Sequence, residues 1–176
     1  IPAAIPLAVI NAANTEVTLP ILGHMDLGKI YPMIIVPIVV IGAANMVNML
    51  AGFNGMETGM GIFYTLSLGL YAYVHNSMFA ALIALVTFSA LIAFYIFNKY
   101  PAKILPGDSL TYLLGATVAV IAILGNMEKA ALIVSIPFIV ELFLKLRAKL
   151  NAKSYGYYKD GKIHSYHDKI YSIPHI

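Results

Sequence analysis

The run IYPMIIVPIVVIGAANMVNMLAGFNGM, residues 30–56, contains no Asp, Glu, Lys or Arg, and its neighbour TGMGIFYTLSLGLYAYVHNSMFAALIALVTFSALIAFYIFN, residues 58–98, contains none either. A helix that crosses a bilayer needs about 20 mostly apolar residues, so Ile30 to Ala51 reads as one span. The second run is interrupted by His75-Asn76-Ser77, which suits a tight helical hairpin of two spans, Met60 to Val74 and Met78 to Phe97. Outward from these, Ser109 to Met127 is the next uncharged run. Ala130 to Leu146 is the last, with Pro137 and Glu141 inside it and Lys145 near its end. Ile1 to Ile10 is too short to cross and reads as the end of a cut helix. The expected fold is an all-α polytopic transmembrane helix bundle of five full spans plus a truncated first helix and a polar cytoplasmic tail. Residues 1–146 form the transmembrane domain and 147–176 the basic tail.

Composition agrees. The chain of 176 residues is 60% hydrophobic and 11% charged, with a mean hydropathy of +0.83, whereas a soluble domain carries about a quarter charged residues. Buried core helices of a soluble protein are the other reading of long apolar runs, but too little polar sequence remains here to cover them. A formal net charge of +3 does not suggest nucleic-acid binding. The absence of cysteine excludes disulfides and thiolate chemistry. The first residues, Ile1-Pro2-Ala3, show neither an initiator Met nor a signal peptide, so the chain reads as a fragment.

Alternating the spans places Ala51 to Glu57, Asn98 to Asp108 and the tail on one face. Asn11 to Lys29, His75 to Ser77 and Gly125 to Lys129 fall on the other. The first face holds Lys99, Lys103, Lys145, Arg147, Lys149, Lys153, Lys159, Lys162 and Lys169; the second holds Lys29 and Lys129. Nine against two makes the first face cytoplasmic by the positive-inside rule.

Polar groups gather on that face. Asn45 and Asn48 are three apart, hence on one helix side, and amides at the end of an apolar helix must find partners. Interhelical hydrogen bonding and a ligand role both fit. Gly52 and Gly55 permit close backbone approach and positive φ, and the next helix begins near Glu57, so its free N–H groups could face a phosphate; an ordinary Asn-Gly turn fits as well. Asp108 precedes an apolar helix, where it serves either as a plain N-cap or, with an Asn oxygen brought near by folding, as a ligand for a hard cation such as Mg²⁺.

The pattern Asn45-x-x-Asn48-x-x-Ala51-Gly52-x-Asn54-Gly55-x-Glu57-x-Gly59, followed by Tyr100-Pro101 and Gly107-Asp108-Ser109, resembles the polyprenyl-phosphate N-acetylhexosamine-1-phosphate transferases. It is most similar to their archaeal and eukaryotic branch, which makes dolichyl-diphosphate-N-acetylglucosamine. Pro20 to Gly28, Ile123-Leu124-Gly125 and Asp160-Gly161-Lys162 resemble that branch too. The resemblance implies an integral membrane enzyme, at the archaeal plasma membrane or endoplasmic reticulum. That enzyme transfers GlcNAc-1-phosphate from UDP-GlcNAc to a polyprenyl or dolichyl phosphate and releases UMP, with Mg²⁺ or Mn²⁺ as cofactor and membrane lipid around it. A homodimer is compatible with it.

Carried over residue by residue, the resemblance implies that Asp108 and Asn48 bind the catalytic metal, that Asn54 contacts the uracil and that Gly52 lies against the ring. Leu105 stands where the family carries an aromatic stacking partner. Asn45 and Glu57 match motif positions, supporting the site or helix packing. Bacterial relatives usually carry Asp where this chain has Ala51. The Pro-Arg-His-Arg segment that holds diphosphate and sugar in the eukaryotic proteins is replaced by Arg147-Ala148-Lys149-Leu150-Asn151-Ala152-Lys153, so no sugar-binding arginine is assigned. The family also carries an Asp-Asp pair on a preceding cytoplasmic loop, and none occurs here; the chain alone is therefore expected to be inactive.

Two other classes fit parts of the pattern. A transporter or channel fragment would use the intramembrane Asn residues and Glu141 as a polar path. A structural membrane subunit would use the tail to attract anionic lipid. His164 and His167, three apart, read as solvated tail residues rather than metal ligands.

Overall fold

The computed structural model describes residues 5–9, 16–19 and 23–175. Residues 1–4 and 10 of the expected helix stub, and Pro20-Ile21-Leu22 of the following loop, lie outside the described residues. The order of elements is α1 (Ile5–Val9), an antiparallel pair β1 (Glu16–Leu19) and β2 (Gly23–Asp26), a π-helical turn Tyr31–Ile35 running into α2 (Val36–Met49), α3 (Met56–Val74), α4 (Met78–Asn98), α5 (Gly107–Leu124), α6 (Glu128–Val134) and α7 (Ile136–Arg147). A second antiparallel pair, β3 (Tyr157–Lys159) and β4 (Lys162–His164), and a 3₁₀ turn Ile173–His175 complete it.

Among the described residues three helices are both long and apolar enough to cross a membrane: Tyr31–Met49, Met78–Asn98 and Gly107–Leu124. The chain is mostly helical and is an integral membrane protein. α3 is as long as the first of these, 19 residues, but Glu57, Thr58, Thr65, Ser67 and three tyrosines lower its hydropathy. The run expected as a single last span is broken into α6 and α7 at Ser135. Pro137 causes the break, because it has no N–H to donate to the Ile133 carbonyl and its ring crowds that turn. Pro37 acts similarly at the start of the first span: the ladder slips to a wider turn, and the Val36 N–H reaches back five residues to the Tyr31 carbonyl.

Small residues set how closely the helices approach. At Gly115 of α5 a Cβ would overlap the Ala43 carbonyl and lie 2.6 Å from the Ala44 Cα, so α2 and α5 pack backbone to backbone. In the α3–α4 hairpin, Gly69 faces Ala84, and Ala72 and Ala80 are buried. Val47, Leu50, Tyr64, Leu68, Leu114 and Ile121 form the larger core. Tyr31, Val36, Val40, Ala119 and Ile123 form a second, towards the other end of α2 and α5. Outward-facing residues such as Phe63, Phe79, Leu85, Val86 and Ile96 are large, apolar and exposed, a pattern that suits contact with lipid tails.

The helices sort their connections to two ends. At one, the Tyr31 hydroxyl donates to Glu128 Oε1 (2.8 Å) and the Ser77 hydroxyl to the Gly125 carbonyl (3.4 Å). This joins the start of the first span, the α3–α4 turn and the α5–α6 turn. At the other end lie the α2–α3 loop, the α4–α5 loop and the tail, held by the contacts described next.

Candidate functional site

Asn48 lies in the last turn of α2, and Asp108 in the first turn of α5. Although 60 residues apart, they meet: Asn48 Nδ2 donates to Asp108 Oδ1 at 2.9 Å and to the Thr111 hydroxyl at 3.0 Å. Thr111, which the sequence pattern did not single out, donates in turn to the Asp108 carbonyl at 3.1 Å. The close approach at Gly115 brings the two helix ends into register, so packing deeper in the bundle positions this polar pair. Asp108 is exposed and Asn48 half-buried, leaving the carboxylate open to a ligand.

The α2–α3 loop is closed by Glu57. Its Oε1 accepts the Gly52 N–H at 2.6 Å, while Oε2 is buried without a hydrogen-bond partner. The carboxylate also sits in the first turn of α3, where the helix dipole favours negative charge. Gly55 starts that helix with φ +80°, and a Cβ there would lie 3.0 Å from the Tyr95 ring and 3.2 Å from the Lys99 Cα. Both the left-handed backbone and the close packing against the end of α4 require glycine. Asn54 is exposed on this loop.

The α4–α5 loop is tied to the same place by a buried relay that composition and spacing did not reveal. The Thr58 hydroxyl donates to Asn98 Oδ1 at 2.7 Å, and Asn98 Nδ2 donates to the Ile104 carbonyl at 3.0 Å. Leu105 follows on the loop, 68% exposed. Asn45 turns elsewhere, its Nδ2 donating to the Ile41 carbonyl of its own helix at 2.8 Å.

The third wall comes from α7 and the tail. Lys145 donates to the Met49 carbonyl, one of the carbonyls left free at the end of α2, and pairs with Glu141 at 3.4 Å. Glu141 is fully buried and accepts from the Ser172 hydroxyl at 2.6 Å and the Ile173 N–H at 2.7 Å. A cavity of about 440 Å³ opens between the end of α2, α7 and the tail, lined by Asn48, Met49, Ala51, Lys145, Lys153 and Ser154 among others. It combines two ammonium groups with an amide beside an exposed carboxylate, a donor set suited to an anion accompanied by a hard cation.

Among the described residues no three His, Cys, Asp or Glu gather as a metal cage. Asn48 and Asp108 fit a cation that keeps most of its shell as water and substrate phosphate. Turning the Asn48 amide over presents its oxygen beside the carboxylate without changing its shape.

Comparison with known proteins concerns the sequence as a whole. The model of glycosyl transferase family 4 matches residues 1–126. A Saccharolobus solfataricus protein provisionally named a UDP-N-acetylglucosamine–dolichyl-phosphate N-acetylglucosaminephosphotransferase is 39% identical over 176 residues, covering 99% of this chain and 55% of the relative. A Sulfolobus acidocaldarius protein of the same name is 34% identical, covering 99% of this chain and 54% of the relative. The phospho-N-acetylmuramoyl-pentapeptide-transferase of Halalkalibacterium halodurans is 31% identical, covering 81% and 44%. The chain thus spans about half the length of the curated relatives it matches.

Proposed function

The chain belongs to glycosyl transferase family 4, and from that premise we propose that it carries the metal and nucleotide side of a membrane phosphoglycosyl transferase. That enzyme moves GlcNAc-1-phosphate from UDP-GlcNAc to a polyprenyl or dolichyl phosphate with release of UMP. The observation that carries the reading is the Asn48–Asp108 contact, made at the end of the bundle that also holds the Gly52–Glu57 loop and the lysine-lined cavity. The names of the archaeal relatives support the choice of substrates.

On this reading α3 and the broken α6–α7 pair also cross the bilayer, giving five spans within residues 1–146, and residues 147–176 form a cytoplasmic tail. The basic residues, nine on the site's side against two, support the cytoplasmic assignment. Mg²⁺, held by Asp108 and Asn48 with Mn²⁺ as a substitute, would supply charge neutralisation of the diphosphate. Every other contribution comes from the chain. Asn54 and the Gly52 backbone take the uracil, and Glu57 keeps that loop closed. Lys145 and Lys153 offset the diphosphate charge in the cavity and lower the repulsion between two anionic substrates.

In the transfer an oxygen of the lipid phosphate forms a bond to the β-phosphorus of UDP-GlcNAc. The bond from that phosphorus to the bridging oxygen breaks, and UMP leaves with the electron pair. Asp108 stands where a soluble nucleotide sugar and a membrane-borne phosphate can meet. The test is UMP release by the full-length gene product in lipid nanodiscs. UMP is expected only when UDP-GlcNAc, dolichyl phosphate and Mg²⁺ are all present; release that does not require the lipid phosphate would overturn the reading.

A further inference from the structure

The tail is not a plain polar loop. It leaves α7 at Arg147 and returns to it, since Ser172 and Ile173 bond Glu141 inside α7. Both ends of the intervening segment are therefore anchored at the site's end of a membrane helix. Between them, β3 and β4 pair through Tyr157 with His164, Tyr158 with Ile163 and Lys159 with Lys162. Asp160 and Gly161 make the two-residue turn with φ +51° and +78°, the left-handed pair that closes a twisted hairpin.

Strand alternation gives this hairpin two unlike faces. Tyr157 and His164 stack on one, with ring centroids 5.6 Å apart, and Tyr166 closes on Tyr157 at 5.1 Å. On the other, Tyr158 and Ile163 sit side by side, 78% and 67% exposed. At the tip Lys159 and Lys162 stand directly opposite each other, on the Tyr157–His164 face by the same alternation, with Asp160 in the turn between them. From Arg147 onward the tail has six basic residues against Asp160 and Asp168. An aromatic and an aliphatic side chain projecting together from a basic, membrane-anchored hairpin match the chemistry of an anionic lipid interface, where tyrosine occupies the headgroup level and lysines reach phosphates.

We propose that the β3–β4 hairpin is a membrane-docking element that inserts Tyr158 and Ile163 into the headgroup region of an anionic leaflet, while Lys159 and Lys162, on the other face at the tip, reach round the turn on their long stems to lipid phosphates. Docking fixes the tail segment that carries Lys153 and Ser154 over the cavity, so the composition of the surrounding leaflet bears on the site. Nothing in the proposal requires that the chain be catalytically active.

These 176 residues contain no tryptophan, so a tryptophan introduced on the hairpin is read as the difference from the same protein without it. Full-length chain carrying Tyr158→Trp is reconstituted in nanodiscs of phosphatidylcholine alone or with added phosphatidylglycerol, and its emission is measured with acyl chains brominated or not. In the anionic discs blue-shifted emission and quenching by brominated lipid are expected. Both should be lost in the Lys159→Glu/Lys162→Glu background. Tyr157→Trp, on the opposite face, and Ile163→Trp, on the same face, guard against a reporter that merely disturbs the hairpin. Ile163→Trp should behave as Tyr158→Trp, and Tyr157→Trp should stay unquenched by brominated lipid. The proposal is overturned if the Trp at 158 and the Trp at 163 remain fully accessible to aqueous acrylamide in anionic discs, or if position 157 quenches as strongly as 158.

Discussion

Replacing Glu141 by glutamine tests whether the buried carboxylate holds the tail against the bundle. Glutamine keeps the volume but offers one acceptor oxygen where Glu141 offers two, and those two receive the Ser172 hydroxyl and the Ile173 N–H. The best compromise aims the amide oxygen at Ile173 and lets the serine hydroxyl turn round to accept. Two charge-assisted hydrogen bonds then become neutral ones, a loss of about 1 kcal/mol each. Lys145 also loses its partner at 3.4 Å, which adds up to about 1 kcal/mol. A total of about 2 to 3 kcal/mol corresponds to roughly a 30- to 160-fold rise in local opening. Hydrogen exchange read by mass spectrometry on the chain in nanodiscs should show that loss of protection at the Ile173 amide, while α5 amides stay as protected as before. Unchanged protection at Ile173 would refute the carboxylate's role as the tail's anchor. Glu141→Ala is a poorer test, because it leaves the Ser172 hydroxyl and the Ile173 N–H with no acceptor at all and opens a void in a fully buried site.

Gly55→Ala should lower stability by about 1 to 2 kcal/mol, from the left-handed backbone alone, with more added by the contact at 3.0 Å to Tyr95; thermal unfolding in detergent measures it. Thr58→Val removes the donor to a buried Asn98 oxygen and should cost about 1 to 3 kcal/mol, read as faster exchange in the loop after α4. Lys153→Ala should raise KM for UDP-GlcNAc in the full-length enzyme and steepen no other dependence; an unchanged KM removes the tail lysine from the diphosphate site.

Hydropathy located the helices well where charge was absent for a whole span, because lipid exposure requires the full length of such a helix to be apolar. The start of the first span at Tyr31, the α3–α4 turn and the start of α5 are all readable within a few residues. The break at Ser135 is not, although Pro137 lies in plain view, since a proline can kink a continuous helix or end one and only tertiary packing decides between them. The hairpin after α7 was missed for a related reason: its strands are three residues long, too short for alternation to show, and only the Asp160-Gly161 turn signalled it.

At the site, the motif spacing marked Asn48, Gly52, Glu57 and Asp108 as members of one end of the bundle. Their partners could not be read in advance. Thr111, Asn98 and Thr58 are ordinary helix residues until the fold sets them against one another. Spacing assigns no partner to Lys145 or Glu141 in the last apolar run; the fold sets Lys145 on the end of α2 and Glu141 on the tail. Asn45, three residues from Asn48, bonds its own helix instead, a reminder that helical spacing gives a shared side but not a shared partner.

The most direct measurement compares Asp108→Asn with Asn45→Ala in the UMP-release assay on the full-length protein, at saturating Mg²⁺ and equal expression. Asp108→Asn keeps the size of the side chain but removes its charge. It should cut turnover by about a hundredfold or more, the scale of losing one electrostatic stabiliser of a reacting group, whereas Asn45→Ala should stay within a few-fold of the parent protein. Full UMP release by folded Asp108→Asn would contradict the account at its centre, by showing that the carboxylate meeting Asn48 takes no part in the transfer.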